Sequence, residues 1–150
     1  MRVLVVDDEA GKREQVVALL RGRGEAYTVD EARSFQTAME SLKSKTYDWV
    51  ILDMRLTSFD VTGGDDGWRP RNFGGEEVLR KMTRRAIRSK VVVLTQYSIF
   101  HEPGGKVATM EMLVATFRSK YPSFVGLVQF QHSNNSWQER LLSMLSEGAS

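Results

Sequence analysis

The sequence contains no cysteine, which excludes disulfide bonds and thiolate chemistry and leaves the redox compartment open. It also lacks a strong charge imbalance: the formal net charge is +2, so global charge gives no reason to expect a nucleic-acid or acidic partner. No apolar run approaches the roughly 20 residues that a membrane-spanning helix needs. No charged leader with a small-residue cleavage site precedes the first apolar run. We therefore expect a cytoplasmic protein without membrane association.

Apolar runs and helically spaced apolar residues alternate along the chain. Its 150 residues have the size of one ordinary domain, 1–150. Five runs predict strands: Val3–Val6, Tyr27–Val29, Tyr47–Asp53, Val91–Thr95 and Phe124–Val128. Residue spacing also predicts five helices, the second capped by Ser34, the third over Glu76–Ile87, the fourth carrying Val107 and the fifth capped by Asn134 or Asn135. This alternation predicts an α/β fold, a doubly wound five-stranded parallel sheet with helices on both faces.

Polar residues end three of the predicted strands. Asp7 and Asp8 follow the first strand, Asp53 closes the third and Thr95 closes the fourth. The carboxyl ends of parallel strands share one edge, where open α/β sheets bind ligands. Three carboxylates so close together need a cation, and oxygen ligands favour a hard ion such as Mg²⁺. Asp53 is then a candidate nucleophile for a phosphoryl group; the alternative is that these acids only cap the helices that follow.

These residues carry a resemblance to a known family. Val5–Glu9, Tyr47–Leu56 and Val92–Thr95 resemble, in order and in context, the motifs of response regulator receiver domains of the CheY-like superfamily. The resemblance covers nearly the whole chain. It implies a flavodoxin-like fold with strand order 2-1-3-4-5, in a stand-alone receiver of two-component signal transduction.

The resemblance also implies roles for individual residues. Asp53 would be the phosphoacceptor, and Thr95 would hydrogen-bond the phosphoryl group. Mg²⁺ would be held by Asp7, Asp8, Asp53 and the backbone carbonyl of Arg55. The donor would be a sensor histidine kinase or a phosphotransfer protein. A downstream protein would bind the face formed by the fourth helix, fifth strand and fifth helix. We expect no DNA-binding domain in this chain, and a homodimer is possible.

Two departures from the family pattern stand out. Receivers usually have a lysine, followed by proline, at the end of the fifth strand, and here Gln129 occupies the lysine position. Glutamine donates a hydrogen bond but carries no charge, so the phosphoryl group is expected to lose its main cationic partner. The second departure is a long loop insert after the third strand, at about 57–75, where connections of a few residues are typical.

Three classes of function remain open at this point. The first is a phosphorylatable receiver, which is not an enzyme beyond its own phosphotransfer and dephosphorylation. The second is a receiver-like binding module that relays no phosphate, as Gln129 and the insert suggest. The third is a Mg²⁺-dependent phosphatase of the haloacid dehalogenase type, which needs an acid two residues after the nucleophile; that residue is Arg55 here.

Overall fold

The structure, a computed structural model, describes residues 1–57, 70–71, 74–97, 99–101 and 107–147. Its strands are β1 Arg2–Val6, β2 Thr28–Ala32, β3 Trp49–Leu52, β4 Leu56–Thr57, β5 Pro70–Arg71, β6 Lys90–Thr95, β7 Ile99–His101, β8 Val107–Thr109 and β9 Phe124–Gln129. Its helices are α1 Ala10–Arg21, α2 Phe35–Ser44, α3 Gly74–Arg84, α4 Met110–Lys120 and α5 Ser136–Glu147, with a short 3₁₀ turn at Gly24–Ala26.

Five strands form one parallel sheet in the order β2-β1-β3-β6-β9. Counting only these five, the order is the predicted 2-1-3-4-5. The inner strands β1, β3 and β6 are buried along nearly their whole length because helices cover both faces. The α/β, flavodoxin-like prediction is therefore confirmed.

Each face of the sheet has its own hydrophobic core. Alternate residues of the central strands point to opposite faces, so Val50 and Leu52 join the core beneath α2, α3 and α4, whereas Trp49 and Ile51 join the core beneath α1 and α5. This double packing fixes the direction of each strand. It therefore also fixes where the polar residues at the strand ends lie.

Two helix caps behave as predicted from sequence. The Ser34 side chain accepts a hydrogen bond from the Thr37 backbone N–H, and the Thr37 hydroxyl oxygen accepts one from the Ser34 backbone N–H, which closes a capping box at the start of α2. At α5, Asn134 Oδ1 accepts a hydrogen bond from the Ser136 backbone N–H at 3.1 Å.

Two predicted boundaries were wrong. Helix α3 ends at Arg84 and not at Ile87, because Ala86 adopts a left-handed backbone (φ 54°) and the Ile87 N–H bonds back to the Met82 carbonyl. Val107 lies in β8 and not on the fourth helix; it pairs with His101, and α4 begins at Met110 after the Thr109 cap.

The predicted insert at 57–75 begins and ends in regular structure. Strands β4 and β5 form an antiparallel pair in which Thr57 opposes Pro70, and Gly74 already begins α3. Residues 58–69 and 72–73 of this prediction lie outside the described residues. Within the described ranges, no helix is both long and apolar enough to cross a bilayer.

Candidate functional site

Three carboxylates meet at the carboxyl edge of the sheet. Asp7 and Asp8 follow β1, Asp53 follows β3, and one oxygen from each lies within 4.8 Å of the others. Backbone bonds continue the strand pairing and hold two of these residues: Asp7 N–H bonds to the Ala32 carbonyl and Asp53 N–H to the Val6 carbonyl. The parallel order of β2, β1 and β3 thus brings the predicted acids together.

A lysine lies inside this acidic cluster. Lys12, in the first turn of α1, is 1 % exposed, and its Nζ lies 2.9 Å from Asp7 Oδ2 and 3.1 Å from Asp53 Oδ1. The ammonium also donates a hydrogen bond of 2.6 Å to the carbonyl of Leu94 in β6. Phe130 covers it from the side, with the ring centroid 5.8 Å from Nζ. One cation therefore contacts two acids and a third strand of the sheet.

Burial dominates the proton equilibria of the cluster. It raises the pKa of Asp53 to about 7 and that of Asp8 to about 6, and it also raises the pKa of Asp7. Lys12 opposes the rise at all three carboxyls. Burial lowers the pKa of Lys12 itself, but the attraction of Asp53 and Asp7 outweighs it, so the pKa lies above its ordinary value and the amine stays charged.

A cleft of about 260 Å³ opens onto the cluster. Its walls are formed by Asp8, Glu9, Asp53, Arg55 and Tyr97. The Arg55 guanidinium lies over the Tyr97 ring, 4.7 Å from its centroid. Asp53 lines this cleft although only 5 % of the residue is exposed.

A series of hydrogen bonds between side chains lies beside the cleft. Gln96 Nε2 donates to Glu9 Oε2 at 3.1 Å and to the Tyr97 hydroxyl at 3.2 Å, and His132 Nε2 lies 3.0 Å from Glu9 Oε1. These contacts join the loops after β1, β6 and β9. The Gln96 side chain therefore connects two residues that line the entrance to Asp53.

Thr95 and Gln129 are register partners at the ends of β6 and β9. Thr95 is fully buried, and its hydroxyl accepts a hydrogen bond from the Tyr97 backbone N–H at 3.3 Å. Gln129 is partly buried. It therefore lies at the same edge of the sheet as Thr95.

The donor set suits a hard divalent cation. All three side chains are carboxylates, and the cleft leaves space beside them for water ligands, which Mg²⁺ retains. Three carboxylates and one ammonium sum to a charge of −2, which a divalent ion neutralises. Arg55, the residue predicted to contribute a backbone carbonyl, lines the same cleft as Asp8 and Asp53.

Sequence reasoning missed Lys12 as part of this site. A signal for Lys12 existed: it lies four residues before Val16 and eight before Leu20, on the buried stripe of α1, where a lysine is unexpected. The ammonium of Lys12 therefore brings a positive charge into the cluster that the sequence analysis did not foresee. Glu9 follows Asp7 and Asp8 in the motif after the first strand, but its contacts with Gln96 and His132 gave no signal because those residues are distant in sequence.

Comparison with known proteins gives consistent results. Residues 3–112 match the family described as response regulator receiver domain. Over 151 aligned residues the chain is 25 % identical to the Detocs response regulatory protein DtcB of Enterobacter cloacae, covering 98 % of this chain and 99 % of that protein.

Solved structures with the same fold include two regulators of comparable length. The response regulator protein TrrA of Thermotoga maritima, in complex with Mg²⁺–BeF, is 24 % identical with a TM-score of 0.59, covering 95 % of this chain and 97 % of that one. A two-component response regulator of Clostridium difficile is 14 % identical with a TM-score of 0.67, covering 99 % and 95 %. At these identities the likeness shows the fold alone.

Proposed function

The chain belongs to the response regulator receiver domain family, and from that premise we propose that it accepts a phosphoryl group on Asp53 from the phosphohistidine of a sensor kinase or phosphotransfer protein. The observation that carries this proposal is the position of Asp53: a nearly buried carboxylate beside two further acids, reached through one cleft. Two-component signalling is the family's general role, and the proposal concerns the acceptance of a phosphoryl group by Asp53.

The chemistry follows from the residues around Asp53. A carboxylate oxygen of Asp53 attacks phosphorus in line; the new P–O bond forms as the P–N bond breaks, and the imidazole nitrogen leaves with the electron pair. Asp7, Asp8, Asp53 and the Arg55 carbonyl would hold Mg²⁺, which would supply positive charge to offset the negative charge of the phosphoryl group. The Thr95 hydroxyl, already placed at the sheet edge, donates a hydrogen bond to a phosphoryl oxygen.

The signal leaves through a protein partner in this proposal. Thr95 lies in β6 next to β9, so a shift of its hydroxyl reaches the surface formed by α4, β9 and α5. Met112 in α4 and Val107 in β8 are 54 % and 47 % exposed, and apolar side chains at a surface suit a docking partner. A homodimer through the same face is the alternative partner.

A direct test uses a small phosphodonor. The protein is incubated with Mg²⁺ and acetyl phosphate, and its intact mass is measured with and without chelator. We expect one phosphoryl adduct that requires Mg²⁺, absent from Asp53→Asn and retained in Asp48→Asn. Asp48 is the matched control because it precedes the same strand at its other end, where it accepts a hydrogen bond from Arg2 N–H.

One observation favours a second function, binding without phosphoryl transfer. Lys12 already offsets part of the negative charge of the acidic cluster, which reduces the need for a bound metal. This alternative predicts no adduct and no Mg²⁺ binding by calorimetry. The phosphatase alternative predicts turnover of a generic phosphomonoester that Asp53→Asn abolishes; Arg55 stands where that chemistry needs an acid.

A further inference from the structure

We propose that Lys12, from helix α1, is the cationic partner of the phosphoryl group on Asp53, in place of a lysine at the end of β9. The inference rests on the proposed phosphoacceptor role of Asp53. In this inference a residue of α1 makes the contact with the phosphoryl group that receivers usually make through a lysine at the position of Gln129.

The position of the ammonium is the first step. Lys12 Nζ is 3.1 Å from Asp53 Oδ1, so the ammonium lies directly beside the carboxyl that would carry the phosphoryl group. Nζ is also anchored at two further points, Asp7 Oδ2 and the Leu94 carbonyl. The contacts with Asp7 and Leu94 hold the ammonium beside Asp53, so its position does not depend on the Asp53 contact alone.

Charge is the second step. Phosphorylation replaces the single negative charge of Asp53 by the two charges of an acyl phosphate, beside Asp7 and Asp8. Buried negative charge of this size needs fixed cations or hydrogen-bond donors. Among the described residues, Lys12 is the only cation that contacts Asp53, and Gln129 brings no charge. The Lys12 ammonium therefore stabilises the protein with phosphorylated Asp53 more than the protein with unphosphorylated Asp53.

Packing is the third step. The residue after Gln129 is Phe130, which is 1 % exposed and lies against Trp137, with ring centroids 4.9 Å apart. Its ring also flanks the Lys12 ammonium. The Gln129–Phe130 pair and Lys12 thus form one arrangement: the β9 end supplies an aromatic wall, and α1 supplies the charge.

The test separates the effect of Lys12 on Mg²⁺ from its effect on phosphoryl transfer. Lys12→Met keeps the length of the side chain and removes its charge. Because the ammonium repels a divalent ion in the same cluster, we expect roughly tenfold tighter Mg²⁺ binding by calorimetry. Because the phosphoryl group loses its partner, we expect adduct formation with acetyl phosphate to slow by about a hundredfold. Misfolding would weaken both, so opposite signs identify the charge effect.

A rescue variant and a control complete the experiment. In Lys12→Met/Gln129→Lys the ammonium returns at the end of β9, and we expect adduct formation to recover by at least about tenfold over Lys12→Met. Lys45→Met is the matched control, since it breaks the exposed pair with Asp30 and should change neither quantity.

The outcomes distinguish the two proposals. If the wild-type chain forms no adduct, the phosphoacceptor function fails and Lys12 loses its proposed partner with it. If the wild type forms the adduct and Lys12→Met forms it equally fast or faster, the inference about Lys12 alone is wrong. Slower transfer with looser Mg²⁺ binding, and no rescue by Gln129→Lys, also overturns it.

Discussion

The backbone of Gly75 packs directly against the backbone of Asp53. A Cβ atom added at Gly75 would overlap the Asp53 carbonyl oxygen and lie 2.9 Å from Met54 Cα, while the Gly75 N–H donates to the Met54 carbonyl at 2.9 Å. The start of α3 is therefore pressed directly onto the segment that carries the proposed phosphoacceptor. No side chain fits between them.

Gly75→Ala should disturb this contact and the site together. The added methyl group meets backbone atoms that have no free space to move into, so we expect the free energy of unfolding to fall by about 1–3 kcal/mol. We also expect weaker Mg²⁺ binding, because Asp53 shifts. Urea unfolding and calorimetry measure the two effects. Gly11→Ala is the control: it lies in α1 with open space at its Cβ position, and it should keep or raise stability. Equal behaviour of the two variants would contradict the close contact.

Stability without divalent metal should depend on pH. The folded pKa values of Asp53, about 7, and Asp8, about 6, lie above the ordinary value of 3.8. Between pH 4 and 7 the folded protein therefore holds protons that the unfolded chain releases, so stability falls as pH rises through this window. We expect a higher unfolding midpoint in urea at pH 5 than at pH 8, and a smaller difference when Mg²⁺ is present at pH 8. Asp53→Asn should flatten the slope; an unchanged slope would show that other groups cause it.

Gln96→Ala should open the cleft. The Gln96 amide now joins Glu9 to Tyr97, two residues that line the entrance to Asp53. Its removal gives a phosphodonor or water easier access, so we expect both phosphorylation and loss of the phosphoryl group to be several-fold faster. Time courses of intact mass measure both rates. His132→Ala removes another contact of Glu9 without emptying the entrance and should change the rates less; slower phosphorylation in Gln96→Ala would contradict this account.

Gln129→Lys alone, with Lys12 in place, should give no gain in phosphorylation. It would add a second ammonium beside Thr95, while Asp53 already pairs with Lys12. Two neighbouring cations repel each other and a bound metal, so we expect weaker Mg²⁺ binding. Gln129→Met controls for the loss of the amide. A large gain in adduct formation would mean that Lys12 does not serve the phosphoryl group.

The sequence predicted the fold and most of the site because both depend on local patterns. Runs of β-branched residues followed by Asp7, Asp53 or Thr95 report strand ends directly, and parallel pairing then places those ends together. Lys12 escaped prediction because a lysine in the first turn of a helix is usually solvated. Its burial is decided by contacts with Asp53 and Leu94, more than 40 residues away. The start of α4 was misjudged for a similar reason, since Val107 pairs with β7 and not with its own helix.

The antiparallel pair β4–β5 holds the two ends of the segment 58–69 close together, which is useful for protein engineering. Thr57 and Pro70 face each other across this pair, so the chain leaves and returns at points about one strand spacing, roughly 5 Å, apart. A two-residue hairpin turn spans such a gap. Thr57 and Pro70 are therefore suitable attachment points for a short turn or a foreign sequence. Such a graft would begin four residues after Asp53.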